Sequence, residues 1–544
     1  MKKKTFPMVF TVREMVELAY RDHPEFVQYR YIDGKNTVDV TTGEFYNDIE
    51  NLGAYLTASG FGTAHIACVG ENSYPWIVTY FTALMTEGVF VPMDKELPTD
   101  NLIFLLNDSD TDLVFADAKH AAELVTRRDE LPRVKEIVLL NEGIPVGDCP
   151  TQREWIGYGL TCDRTVFDRL HRAPDALADL VYTSGTTGTA KGVMLTEHNL
   201  MSAVVYGLQV SYVTGTCLSV LPYHHTYEAV CDLLVMVHAR VTLCINDSLR
   251  HVQDNLKRFH PDFIYLVPAF AEHFCKIINS SIDRQGKRKT FERMVRLTRA
   301  LRHIGIDLRY RVFASIHKEF GGRLRRIVCG GAPIRPEVGE FLNDIGILLT
   351  GGYGITECSP LVSLNDIKDT NFASAGHRIP CLEWKIDEAS ETEGIGEILV
   401  RGDVVMKGYY KRPDLTAQVL RDGWFYTGDY GRINEEDEIV ITGRKKNIVV
   451  LSNGKNIYPE ELEEKISNIP YIKEVVVHGV KNEFGQDVKL SAEVYIEEEN
   501  VKSSTVLADI RKTLCDLPLY KQISDVILRN IPFAKTSSNK IKRA

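Results

Sequence analysis

An apolar strand, Ala178–Val181, runs directly into Tyr182-Thr183-Ser184-Gly185-Thr186-Thr187-Gly188-Thr189-Ala190-Lys191-Gly192-Val193, and this junction limits the fold more than any other stretch. Glycines let a backbone turn with its N–H groups converging on an anion. Hydroxyls at Thr183, Ser184, Thr186 and Thr187 add neutral donors, and Lys191 adds a positive charge. The chemistry implied is a cradle for the β- and γ-phosphates of a nucleotide, although composition alone also allows an ordinary turn. A Walker A loop is excluded, because Lys191 is followed by Gly192 rather than Ser or Thr.

Around this loop, strands and helices alternate. Ile66–Val69 and Leu113–Ala116 are short buried-strand candidates, with helical patterns such as Tyr74–Met85 between them, and the rhythm returns at 217–280 and 325–365. Such alternation predicts an α/β fold of parallel sheets flanked by helices. From about 380 to 442 the texture changes to short strands with Gly turns, which predicts a small β subdomain. A last unit follows residues 443–446, with strands at Val475–His478 and Leu490–Ile496 and helices at Glu460–Ile466 and Val506–Asp516. A length of 544 residues fits about three or four folding units.

The eleven cysteines contain no C-x-x-C pair, so neither a zinc ribbon nor a disulfide framework is signalled. Scattered thiols fit a reducing cytosol, and a cytoplasmic location is expected. The basic start, Met1 to Lys4, precedes an apolar stretch too short for a secretory signal. No apolar run reaches the roughly 18–20 residues that span a bilayer. A net charge of −10 argues against nucleic acid as a partner.

Six further motifs follow in order: Leu221-Pro222-Tyr223-His224-His225, Gly330-Gly331-Ala332-Pro333, Gly352-Tyr353-Gly354-Ile355-Thr356-Glu357, Gly423-Trp424-Phe425-Tyr426-Thr427-Gly428-Asp429, Gly443-Arg444-Lys445-Lys446 and Thr536-Ser537-Ser538-Asn539-Lys540. Singly, most have bland readings: core histidines, a helix cap, a Gly-Asp turn, a solvated terminal lysine. Together with the 182–193 loop they resemble the signature motifs of the adenylate-forming superfamily, which comprises acyl-CoA synthetases, luciferases and peptide-synthetase adenylation domains.

The resemblance implies a large N-terminal AMP-binding domain of parallel βα sheets at 1–442, including the β subdomain at about 380–442. It implies a hinge at 443–446 and a mobile, small α+β C-terminal domain at 447–544 carrying the catalytic lysine. Catalytic roles fall to Lys540, Thr183, Glu357 and His225, the last packing between acyl and nucleotide pockets. ATP phosphates would meet Thr183, Ser184, Gly185, Thr186, Thr187, Gly188 and Lys191. Adenine would lie against Gly331, Ala332, Pro333, Gly352, Tyr353, Gly354 and Thr356, with ribose at Asp429 and Arg444 near ribose and phosphate. Mg2+ would sit at Glu357 and Thr183. Gly454 would let the arm of coenzyme A pass close to backbone.

Three positions depart from the family pattern. Asn539 stands where Gly is usual, and Asn tolerates left-handed φ best after Gly. Lys445 replaces the Asp of many members, as in the fatty-acid-using branch, and Glu228 replaces a frequent Gly at the mouth of the acyl tunnel. The whole-chain resemblance is closest to long-chain fatty acid–CoA ligases. A fatty acyl–acyl-carrier-protein synthetase and a medium-chain or aryl acid–CoA ligase keep the same motifs.

One segment runs against the acidic balance: residues 284–326 hold 14 Lys/Arg against 3 Asp/Glu. Phe291, Met294, Val295, Thr298 and Leu301 recur at helical spacing, which predicts an amphipathic basic helix. It reads either as a solvated face over the main sheet or as a peripheral contact with the inner face of an anionic membrane.

Overall fold

Runs of β-branched and aromatic residues bounded by Gly or Asp form the strands of two large sheets. The computed structural model describes residues 6–183, 190–367, 370–387, 394–452, 455–482, 485–497, 501–535, 541 and 543. The chain divides into two units, Met1–Glu383 with Arg401–Gly423 and Trp384–Val400 with Trp424–Ala544.

In the first unit a seven-stranded sheet runs in the order Gly408–Tyr409, Lys191–Thr196, Leu177–Thr183, Val89–Met93, His65–Val69, Leu113–Ala116, Glu136–Leu139. The strands from Leu177–Thr183 to Glu136–Leu139 are parallel, and those at the other edge antiparallel. Every residue of Leu113–Ala116 is buried, as befits a parallel strand covered on both faces. A nine-stranded sheet has six parallel strands at its centre, Leu348–Gly354, Arg326–Cys329, Phe263–Leu266, Thr216–Ser219, Thr242–Ile245 and Val27–Asp33, with antiparallel strands at both edges. The expected α/β architecture is therefore present, and the helix expected at Tyr74–Met85 has those bounds. Among the described residues no helix is long and apolar enough to cross a membrane.

The helices show the patterning that fixes them. Thr42–Ala58 starts at a capping box between Thr41 and Glu44 and buries Phe45, Ile49, Leu52 and Leu56 on one face. Each such side chain contributes about 1.5–3 kcal/mol. The basic helix forms as Arg288–His303; Phe291, Met294 and Val295 pack on the core, and Thr298 is buried.

The second unit has a three-stranded sheet, Ile472–Lys481, Asp487–Ile496 and Ile523–Arg529, under the helices Pro459–Ile466 and Ser503–Thr513. Leu462, Ile466, Val477, Val494, Val506 and Ile510 belong to its separate core. The same unit holds antiparallel pairings of Glu397 with Tyr430 and of Asp429 with Arg444. The residues expected as hinge, 443–446, lie inside this unit, where Gly443 and Arg444 end the strand Ile439–Arg444.

One strand residue carries a pH signature. Asp179, in Leu177–Thr183, is buried, and burial pushes its carboxyl from 3.8 up to about 8 despite the opposing charge of Arg172. The folded state thus keeps a proton that the unfolded chain releases, so this stabilisation is complete below about pH 4 and lost as pH rises through about 8. Asp179→Asn keeps the site neutral throughout. Its thermal midpoint, measured against the parent chain, should gain on the parent between about pH 5 and about pH 9, by the equivalent of a few kcal/mol. A pH-independent difference would contradict the assignment.

Candidate active site

The run 182–193 begins in one strand, Leu177–Thr183, and ends in the next, Lys191–Thr196. Leu177–Thr183 and Lys191–Thr196 pair antiparallel, with Tyr182 opposite Gly192 and Thr183 opposite Lys191. A strand-to-strand return is a different setting from the strand-to-helix turn of a Walker A loop. Thr183 and Lys191 are therefore brought together, while Ser184, Gly185, Thr186, Thr187 and Gly188 lie outside the described residues. The Tyr182 hydroxyl donates to Asp108 at 2.8 Å, and the Lys191 ammonium lies 5.1 Å from the centre of the Tyr409 ring.

In the nine-stranded sheet the candidate motifs stand at or just past the carboxyl ends of parallel strands, the edge where open α/β sheets bind ligands. Cys329 stands opposite Gly351, so Gly330, just past its strand, and Gly352, in the last part of Leu348–Gly354, are neighbours. Gly331, Ala332 and Pro333 are exposed, and Gly331 has φ +83°, a conformation that favours glycine. At Gly354 a Cβ would stand 1.8 Å from the Pro360 carbonyl oxygen, so no side chain fits. Tyr353 is buried, while Thr356 and Glu357 are half-buried. Glu357 Oε1 accepts a hydrogen bond from the Tyr409 hydroxyl at 2.9 Å. Glu357 and Thr183 offer hard oxygen donors of the kind Mg2+ prefers.

His225 follows the strand Thr216–Ser219, separated from the strands that carry the glycine motifs by Phe263–Leu266. Asn72 holds its loop by donating to the Leu221 carbonyl at 2.7 Å and accepting from the Tyr223 N–H at 3.1 Å. The His224 and His225 rings lie 4.1 Å apart, and His224 Nε2 is 3.7 Å from Asp94. Burial, then the adjacent His225, pushes the His224 pKa down, so that ring is neutral. Glu228 is fully buried, and its Oε1 accepts from Ser219 Oγ at 2.8 Å and from the N–H groups of Val220 and Leu221. It therefore anchors the strand end beneath the His motif. Burial and the neighbouring Asp232 push its pKa well up.

In the second unit Asp429 is buried and Arg444 Nε lies 3.0 Å from its Oδ1, so these two expected ribose residues are brought together. The turn before Asp429 is held by Glu397, whose Oε1 accepts from the Gly428 N–H at 3.1 Å and whose Oε2 accepts from Lys445 Nζ at 2.6 Å. Gly454 and Lys540 lie outside the described residues. The sequence reading missed Tyr409, Glu397 and Asn72. Each acts through a partner distant along the chain, and Glu397, although it follows Gly394-Ile395-Gly396, carries no signal there beyond strand and turn.

A family model described as AMP-binding enzyme matches residues 16–410. The long-chain-fatty-acid–CoA ligase FadD15 of Mycobacterium bovis is 28% identical over 575 residues, covering 100% of this chain and 93% of that protein. The human long-chain-fatty-acid–CoA ligase 1 is 29% identical over 470 residues, covering 79% of this chain and 66% of its own. Among solved structures, the o-succinylbenzoate CoA synthetase of Bacillus subtilis in complex with its acyl-adenylate intermediate superposes with a TM-score of 0.75 at 21% identity, covering 97% of this chain and 96% of that one.

Proposed function

Because the chain belongs to the family of AMP-binding enzymes, we propose that it activates a carboxylic acid with ATP to an acyl-AMP and passes the acyl group to coenzyme A. The observation that carries this reading is the antiparallel pairing of Thr183 with Lys191, in the unit where the glycine motifs stand at the carboxyl ends of parallel strands. The acid we propose is a long-chain fatty acid. This rests on relatives of that name matched over the full chain and on the gain of roughly 0.8 kcal/mol per buried methylene that a long tunnel offers.

The acid's carboxylate attacks the α-phosphorus in line and expels pyrophosphate. Both partners are anions, so the main task is alignment and charge neutralisation. Lys191 and the hydroxyls of the hairpin hold the leaving pyrophosphate. Glu357 and Thr183 would hold Mg2+, which supplies positive charge along the triphosphate. Gly331–Pro333 and Tyr353 receive adenine, and Asp429 accepts from the ribose hydroxyls, sharing its oxygens with Arg444. Lys540 bridges carboxylate and α-phosphate oxygens as charge concentrates there. The residues 443–446 act as a hinge for the second half-reaction, in which Gly454 lines the path of the thiol.

Acid-dependent ATP–pyrophosphate exchange across acids from acetate to oleate tests the reading. Exchange that peaks with long chains, with AMP release driven by coenzyme A, supports it. A peak with aryl acids would move the chain toward the aryl ligases that share its fold. Exchange indifferent to coenzyme A would make a carrier protein the acceptor, and no exchange with any acid would overturn the proposal.

The helix Arg288–His303 supports peripheral contact with anionic lipid. Arg293, Arg296 and Arg302 are exposed beside Leu297, and Ile304 and Ile306 just beyond are exposed as well. Binding to vesicles containing phosphatidylserine should weaken strongly with salt, and replacing these three arginines by glutamine should abolish most of it. Unchanged partitioning of that variant would remove the membrane role.

A further inference from the structure

We infer that Tyr409 is a positioning residue of the nucleotide site, setting Glu357 with its hydroxyl and Lys191 with its ring. The inference rests on the proposed ATP chemistry and adds to it a residue that no motif marks. Tyr409 belongs to a two-residue strand, Gly408–Tyr409, laid against Lys191–Thr196 with Tyr409 opposite Val193. Two more backbone bonds, Tyr410 N–H to the Gly192 carbonyl and Lys407 N–H to the Met194 carbonyl, extend that pairing. The Met406 N–H also donates to the Glu357 carbonyl at 2.8 Å. The segment 406–410 thus fastens the root of the phosphate hairpin to the turn that carries Glu357.

Tyr409 is 5% exposed, so its contacts form away from competing water. Its hydroxyl donates to Glu357 Oε1 at 2.9 Å, which fixes the carboxylate's direction and leaves Oε2 for a ligand. The Lys191 ammonium lies 5.1 Å from the ring centroid, within the range of a cation–π contact. That ring face holds the cation without neutralising it, as a carboxylate would. One side chain therefore orients an anion expected to meet a metal and a cation expected to meet phosphate. The Tyr409 backbone N–H is bound to Thr416 Oγ1 at 2.9 Å, so the strand keeps an anchor whichever side chain stands at 409.

The two contacts can be removed in turn. Tyr409→Phe deletes the hydroxyl and keeps the ring; Tyr409→Leu deletes both. ATP binding is followed by calorimetry with and without Mg2+, and ATP–pyrophosphate exchange is measured as a function of Mg2+. Tyr409→Phe should raise the Mg2+ concentration needed for half-maximal exchange about tenfold, as loss of a ligand-orienting partner does. It should also shrink the gain in ATP affinity that Mg2+ gives, while ATP binding without Mg2+ and the thermal midpoint stay as in the parent. Tyr409→Leu should weaken ATP binding further, even without Mg2+. A Phe variant that titrates with Mg2+ like the parent overturns the role at Glu357. A Leu variant no weaker than Phe without Mg2+ overturns the role at Lys191. If the parent chain exchanges with no acid, the proposed activity falls, and the calorimetry still decides the Tyr409 assignment.

Discussion

Lys540→Ala should cut acyl-AMP formation by about 10²–10³-fold, the usual loss when one preorganised charge partner of a transition state is removed. Thioester formation from acyl-AMP supplied ready-made should be nearly unchanged, because no charge then builds between carboxylate and α-phosphate. The two halves are separable by exchange of pyrophosphate in one assay and release of AMP from acyl-AMP and coenzyme A in the other. The run Thr536–Lys540 lies outside the described residues. Lys535 and Ile541, on either side of it, pair with each other. Glu474 takes the Phe533 N–H at 2.7 Å and the Lys535 ammonium at 2.7 Å. The residues leading into the run are thus fastened to the three-stranded sheet of their own unit. Equal losses in both half-reactions would remove Lys540 from the adenylation step and make it a general binding or folding residue.

What could be read from the sequence was whatever is encoded locally. Leu113–Ala116 announced itself because a parallel strand buried on both faces must be apolar throughout, and Tyr74–Met85 because it fills the space between two such strands. Gly331 and Gly354 were readable as glycines that something must approach, and the structure gives each a reason, a positive φ at one and a carbonyl oxygen at the other. The run 182–193 reads as a phosphate cradle, but the antiparallel return of Lys191–Thr196 along Leu177–Thr183 is not legible, since it is a pairing between segments and Gly192 weakens the strand pattern of Val193–Leu195. Tyr409 was silent for a related reason. It reaches Lys191 and Glu357 only through pairing between segments far apart in sequence, and no periodicity registers that. The β texture from about 380 was legible as strands, yet its division between two units depends on which distant strands receive it. Glu228 read as a departure at the tunnel mouth; its three hydrogen bonds to residues 219–221 give it the different work of anchoring a loop.

Lys445→Pro should leave adenylation within about threefold of the parent and slow transfer to coenzyme A about 10²-fold, a loss of the size that misalignment brings. Proline suits the position as it stands. Arg444 has φ −105° and ψ 137°, which is where a residue before proline is driven. Lys445 opens the short helical turn Lys445–Asn447, and the first helical position is the one where proline's fixed φ is tolerated best. The substitution therefore holds residue 445 in its present backbone conformation with little strain, while denying it the change of φ that rotation about a hinge requires. It also removes the ammonium bonded to Glu397 Oε2, and that loss needs its own control. Lys445→Ala gives it, since alanine loses the same ion pair and keeps its freedom of φ. If the hinge turns here, proline stalls transfer and alanine does not. If both variants stall it, the Lys445–Glu397 pair is what matters and the hinge lies elsewhere; if neither does, transfer proceeds without rotation at residue 445 and the two-state scheme fails.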